Sequence, residues 1–105
     1  MGWIYLLIAG VFEIAWPVGL KLAQTQAHRT GGLAMAIIGM ALSGYFLYLA
    51  QKGIPIGTSY AVWTGIGAAG TFLVGIAFFG DQLNFMRSLG VLLIIGGVIT
   101  LKAAH

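Results

Sequence analysis

Four long apolar runs, separated by short polar stretches, set the pattern of this chain. The first run covers 3–20 and ends at Lys21, after which Gln24, Thr25, Gln26, His28, Arg29 and Thr30 make a polar connection. A second run covers 32–50 and is closed by Gln51, Lys52 and Gly53. The third, 55–79, opens on Pro55, which a first helical turn tolerates. Gly80, Asp81, Gln82, Leu83 and Asn84 form the next connection, and a fourth run follows over 86–102. The runs are apolar on every side, not alternating as barrel strands require, so they predict helices. At about 1.5 Å per residue, about 20 residues cross a hydrocarbon core of about 30 Å. The expected fold is therefore an all-α integral membrane protein, one domain of four transmembrane helices over residues 1–105.

Composition narrows the function classes. Of 105 residues, 60% are hydrophobic and 7% charged, against roughly a quarter charged in an average soluble domain. That excludes a soluble globular domain and a disordered segment. The net charge of +3 comes from five basic residues scattered against two acids, with no basic stripe to track a phosphate backbone, so no nucleic-acid partner is expected. Without cysteine there is no disulfide framework, thiolate metal site or cysteine nucleophile. His28 and His105 have no partners at ligand spacing, so no metal is expected. The first run lacks a small-residue cleavage site and is expected to be retained. Lys21, Arg29 and Arg87 fall on one side of the membrane, Lys52, Lys102 and the amino terminus on the other. This near balance leaves orientation undecided and allows insertion both ways.

One acidic residue, Glu13, falls within a span, about midway through the first. Insertion scales place a mid-membrane charge at roughly 2.5–3.5 kcal/mol for Asp, Lys or Arg. Burial without a fixed counter-charge disfavours the ionised form. Such a carboxyl can hold a proton or a cation, and exchanging one for the other is the physical core of a proton-coupled exporter. The bland alternative is a protonated Glu that hydrogen-bonds a neighbouring helix. Gly10 and Trp16 lie three residues either side of Glu13 and share its face. Gly10 is expected to leave space beside the carboxyl, and Trp16 to offer an indole N–H and a π-face. Pro17 lacks the N–H that would bond the Glu13 carbonyl, which either simply kinks the helix or frees that oxygen as a ligand.

Ser43, midway through the second span, is placed to hydrogen-bond Glu13 or to bond back to its own helix. Tyr60 and Trp63 share a stripe of the third span, with Trp63 too deep for an interfacial belt. Together these groups suit a cation that is partly flat and rich in donors. Gly65 and Gly67 mark a candidate hinge in the third span. Gly90 and Gly97, seven apart with Gly96 beside them, form a small-residue packing stripe that fits a subunit contact. No phosphate-binding loop or nucleophile triad is present. An enzyme is therefore not expected, and no cofactor beyond a proton gradient is.

The chain resembles the small multidrug resistance family, and within it the guanidinium-exporter subtype. The resemblance runs along the whole chain. It rests on Gly10-Val-Phe-Glu13-Ile-Ala-Trp16 with Gly19-Leu-Lys21, on Pro55-Ile-Gly57-Thr-Ser-Tyr60-Ala-Val-Trp63-Thr-Gly65-Ile-Gly67, and on Gly90-Val-Leu-Leu-Ile-Ile-Gly96-Gly97. It implies an antiparallel, dual-topology homodimer in a bacterial inner membrane, exporting a cation against protons by alternating access. By position, Glu13 would bind proton and substrate, Trp16 and Ser43 would orient it, and Tyr60 and Trp63 would wall the site. Gly65 and Gly67 would bend the third span, and Gly90 and Gly97 would pack the dimer. Multidrug relatives usually carry a small residue where this chain has Trp16, which favours the guanidinium branch. The first loop lacks the usual Gly-Phe and looks a residue longer, and Asp81 stands where Glu is commoner. Neither touches the site, but both leave room for an altered substrate range. Other readings are an exporter of quaternary ammonium and other lipophilic cations, an accessory subunit of a larger complex, and a passive channel.

Overall fold

The computed structural model describes residues 2–104. Met1, whose amine entered the charge balance, and His105 lie outside the described residues. Four long helices make up the chain: α1 (Gly2–Leu22), α2 (Arg29–Ala50), α3 (Ile56–Phe79) and α4 (Phe85–Ala104). Each is long and apolar enough to cross a membrane. A short 3-10 turn, Gln26–His28, precedes α2. The fourth helix begins at Phe85, a residue before the expected run. Asn84 explains this, because its Oδ1 accepts the Arg87 amide at 2.9 Å and so caps the first turn.

The helices lie side by side in a slab of 44 × 34 × 16 Å. α1 is the middle element, packed between α2 and α3, and α4 rests mainly on α3. Small residues allow the α1/α2 approach. The residues α2 buries are Gly32, Ala36, Gly39, Ser43 and Ala50, the first four spaced four, three and four apart on one face. At Gly32 the two backbones nearly touch, since a Cβ there would lie 2.5 Å from the Ala23 nitrogen and the Gly19 oxygen. Lipid tails are as apolar as leucine, so close van der Waals approach replaces the hydrophobic effect between such helices.

Against α3 the register runs the same way along both chains: Gly10 meets Ile66, Glu13 meets Gly67 and Ile14 meets Gly70. α1 and α3 are therefore parallel. At one end of the slab Leu6, Ala50, Ile54 and Val62 form a buried cluster, flanked by Trp3, Trp63, Val98 and Leu101. The same end carries Lys102 over the Trp3 ring, 5.0 Å from its centroid. The far end, where α1 and α3 terminate, holds no comparable cluster. α4 buries none of its described residues, and its outer face presents Leu92, Leu93 and Ile99. An apolar face of that extent requires lipid or another protein chain.

Gly32→Val is expected to lower stability by about 1–3 kcal/mol or more, by forcing α1 and α2 apart. Gly31→Val, where an added Cβ meets nothing within 4 Å, should stay within about 0.5 kcal/mol. Equilibrium unfolding in mixed micelles measures both, and equal effects would contradict this account of the α1/α2 seam.

Candidate functional site

Glu13 sits half-buried in the middle of α1, facing α3. The Trp16 indole Nε1 donates to its Oε1 at 2.7 Å. One helical turn brings the two side chains together, as their spacing of three requires. Its other carboxylate oxygen makes no hydrogen bond with the described residues. Directly opposite is Gly67, where any Cβ would collide with the Glu13 Cγ. Glycine at this position is what lets a carboxyl side chain occupy the α1/α3 seam. The space beside Gly10, expected to serve the carboxyl, is instead filled by Ile66, whose Cγ2 would lie 2.6 Å from a Cβ at position 10. Room for Glu13 comes from across the seam.

Ser43 is fully buried but does not reach Glu13. Its hydroxyl donates to the Ala9 carbonyl at 2.7 Å and accepts the Trp63 Nε1–H at 2.7 Å. Both sequence readings of this serine therefore give way to a third: it ties α1, α2 and α3 at one atom. The physical reason is geometric. Gly39 and Ala36 bring α2 so close to α1 that a hydroxyl one turn on meets the α1 backbone first. In a regular helix the Ala9 carbonyl is also the acceptor for the Glu13 amide, so the junction lies one turn from the carboxylate. Tyr60 stacks obliquely on Trp63, with ring centroids 5.6 Å apart, and is 57% exposed. The structure thus holds two separate pairs, Glu13 with Trp16 and Ser43 with Trp63, and Tyr60 extends the second outward.

A cleft of about 270 Å³ opens beside the carboxylate, lined by Glu13, Pro17, Thr64, Gly67, Ala68 and Thr71. Thr64 and Thr71 were not singled out by sequence reading. The available signal was their spacing of seven on α3, which puts both on the Glu13 side of Gly67. Thr64 spends its hydroxyl on its own helix, donating to the Tyr60 carbonyl at 2.8 Å.

The glycine expectations fare differently. α3 continues as one α-helix through Gly65 and Gly67. Gly65 seats Val98 of α4, whose Cγ2 would lie 2.6 Å from an added Cβ, while Gly67 seats Glu13. In this conformation both are close-approach positions. Gly90, Gly96 and Gly97 face open space, with nothing within 4 Å of an added Cβ. Nothing among the described residues packs against that stripe at an added Cβ.

Ser43→Ala should cost about 1–3 kcal/mol, because the Trp63 indole N–H loses its acceptor inside the bundle. Thr25→Ala, in the exposed loop, should stay within about 0.5 kcal/mol. Detergent unfolding of the two variants is the check, and an unaffected Ser43→Ala would show that the junction carries no weight.

Comparison with known proteins adds an independent line. Residues 1–94 match the family described as Small Multidrug Resistance protein. A relative from Proteus vulgaris named "Guanidinium exporter" is 45% identical over 104 residues, covering 99% of each chain. Relatives of the same name are 43% identical in Yersinia pestis, over 99% of each chain, and in Escherichia coli K12, over 97% of this chain and 96% of that one. These relatives are exporters by name, not enzymes. With four spanning helices and a family match along most of its length, this chain is a multi-pass membrane protein of the small multidrug resistance family.

Proposed function

We propose that this protein exports guanidinium-like small cations in exchange for protons, by alternating access across the membrane, which in bacteria is the inner membrane. The observation that carries the reading is the Glu13 carboxyl. It lies midway along α1, with one oxygen held by Trp16, and its side chain borders a cleft. The full-length similarity to proteins named as guanidinium exporters supports the substrate class.

A proton and a cation compete for one carboxylate, because the low dielectric around it does not tolerate an unpaired charge. Guanidinium is planar and presents N–H donors in its plane, which a carboxylate receives two at a time. The Trp16 indole lies in contact with the same carboxyl and fixes which oxygen remains free.

The working unit in this reading is an antiparallel pair, with two Glu13 side chains contributing to one site. Support comes from what a single chain leaves uncovered: a cleft open on one side, and an α4 whose Gly90, Gly96 and Gly97 stripe meets nothing. Small residues on a lipid-facing helix are where a second helix approaches closely. Gly65 and Gly67 carry no side chains that would lock α3 against Val98 and Glu13. A bend there is the motion that would turn the site from one side to the other.

Glu13→Gln should reduce proton-driven uptake of radiolabelled guanidinium into liposomes to background while the dimer stays folded. The amide keeps the shape but holds neither proton nor charge, so full transport by this variant ends the proposal. Trp16→Gly should raise uptake of a tetraalkylammonium relative to guanidinium about 10-fold, as the carboxyl loses its donor and its bulky neighbour. An unchanged ratio would reduce Trp16 to packing.

A further inference from the structure

We infer that Thr71 and Asp81 form an outer subsite for small cations bearing N–H donors, at the mouth of a polar seam leading to Glu13. The inference rests on the exporter reading and names where its substrate binds on the way to or from the carboxylate. Beyond the Glu13 cleft, a second cavity of about 240 Å³ is lined by Lys21, Val74, Gly75 and Asp81, among others. Pro17 and Thr71 line both cavities. The two therefore adjoin between α1 and α3, with Pro17 and Thr71 as their common wall, and together run from beside Glu13 toward the ends of both helices. In the opposite direction, the cluster of Leu6, Ile54 and Val62 closes the slab.

The chemistry along the seam is suited to a cation. Thr71 stands where the cavities meet, and its hydroxyl makes no hydrogen bond with the described residues. Thr64 and Thr100 differ, each donating at 2.8 Å to a carbonyl four residues back. An unspent hydroxyl at a junction is an available acceptor. Asp81 is held at the mouth by the end of α3. Gly80 adopts the left-handed conformation at φ 70°, and the Asp81 amide donates to the Gly75 carbonyl at 3.0 Å. This turn folds the carboxylate over Gly75, where a Cβ would collide with it.

Neither basic neighbour forms an ion pair with that carboxylate. Lys21 lines the same cavity without forming an ion pair, and its long flexible stem lets the ammonium move aside. Arg87 donates from Nη1 to the Gln82 carbonyl at 3.2 Å. The C-terminal ends of α1 and α3 both face this mouth, and each carries a partial negative charge. Two helix ends, an unpaired carboxylate and a free hydroxyl make a place where a cation sheds water in stages before meeting Glu13.

Initial rates of guanidinium uptake into liposomes, against concentration and at two ionic strengths, provide the test. Asp81→Asn should raise KM about 3- to 10-fold at about 0.01 M ionic strength with little change in maximal rate. The difference should shrink toward none at about 1 M, where charges are screened within about 3 Å. Asp81→Glu should restore the wild-type profile. Thr71→Val should raise KM about threefold at both ionic strengths, because it removes a neutral hydroxyl. A KM for Asp81→Asn equal to wild type at low salt, or raised equally at both salts, overturns the subsite and leaves Asp81 a turn residue. Wild-type protein that moves no guanidinium would instead overturn the exporter reading, and this inference with it.

Discussion

A carboxyl group in hydrocarbon must either keep its proton or find a positive partner, and the rest of this molecule is arranged around that requirement. Among the described residues no ion pair forms, so no resident cation neutralises Glu13. The chain supplies one N–H from Trp16 and a facing glycine, which is enough to orient the group and too little to neutralise it. As an exporter, the protein would use this deficit: the charge has to be met by something that arrives.

The same constraint explains why α1 lies in the middle of the slab. A helix bearing Glu13 at its centre cannot face lipid on that side, so α3 covers it and α2 covers the back. The covering is unequal in kind. Toward α2, backbone meets backbone through Gly19, Gly32 and Gly39, and Ser43 clamps α1 to Trp63. Toward α3, the contact is interrupted by cleft and polar lining beyond Gly67. The α1/α3 seam is also close-packed where Ile14 meets Gly70, but it is the seam whose cleft carries the carboxylate. In an alternating-access cycle the α1/α2 pair would move as one body and the α1/α3 seam would open and close.

Much of this was legible in the residues. The four spans follow from hydropathy and length, because in lipid every backbone polar group must be satisfied within its own segment. Glu13 stands out because an acid in such a run has few innocent explanations, and Trp16 follows from a spacing of three. What escaped was set by relations between helices. Sequence reading placed the glycine seams on the third and fourth spans, whereas Gly32, Ala36, Gly39 and Ser43 on α2 make a tight helix contact. Their four-three-four spacing was available but carried no chemistry to draw notice. Ser43 was assigned to Glu13 because both are polar and deep, yet which partner a hydroxyl meets depends on interhelical distance, which no one-dimensional pattern contains. The space for the carboxyl, expected beside Gly10, lies instead opposite Gly67 for the same reason.

The central claim is that proton and cation exclude one another at Glu13. Mixing purified protein with guanidinium in weakly buffered solution, with a pH indicator, measures this directly. At a pH where the carboxyl holds its proton, the account predicts release of protons that saturates with guanidinium and is missing in Glu13→Gln. Guanidinium binding with no proton released across the accessible pH range would contradict it.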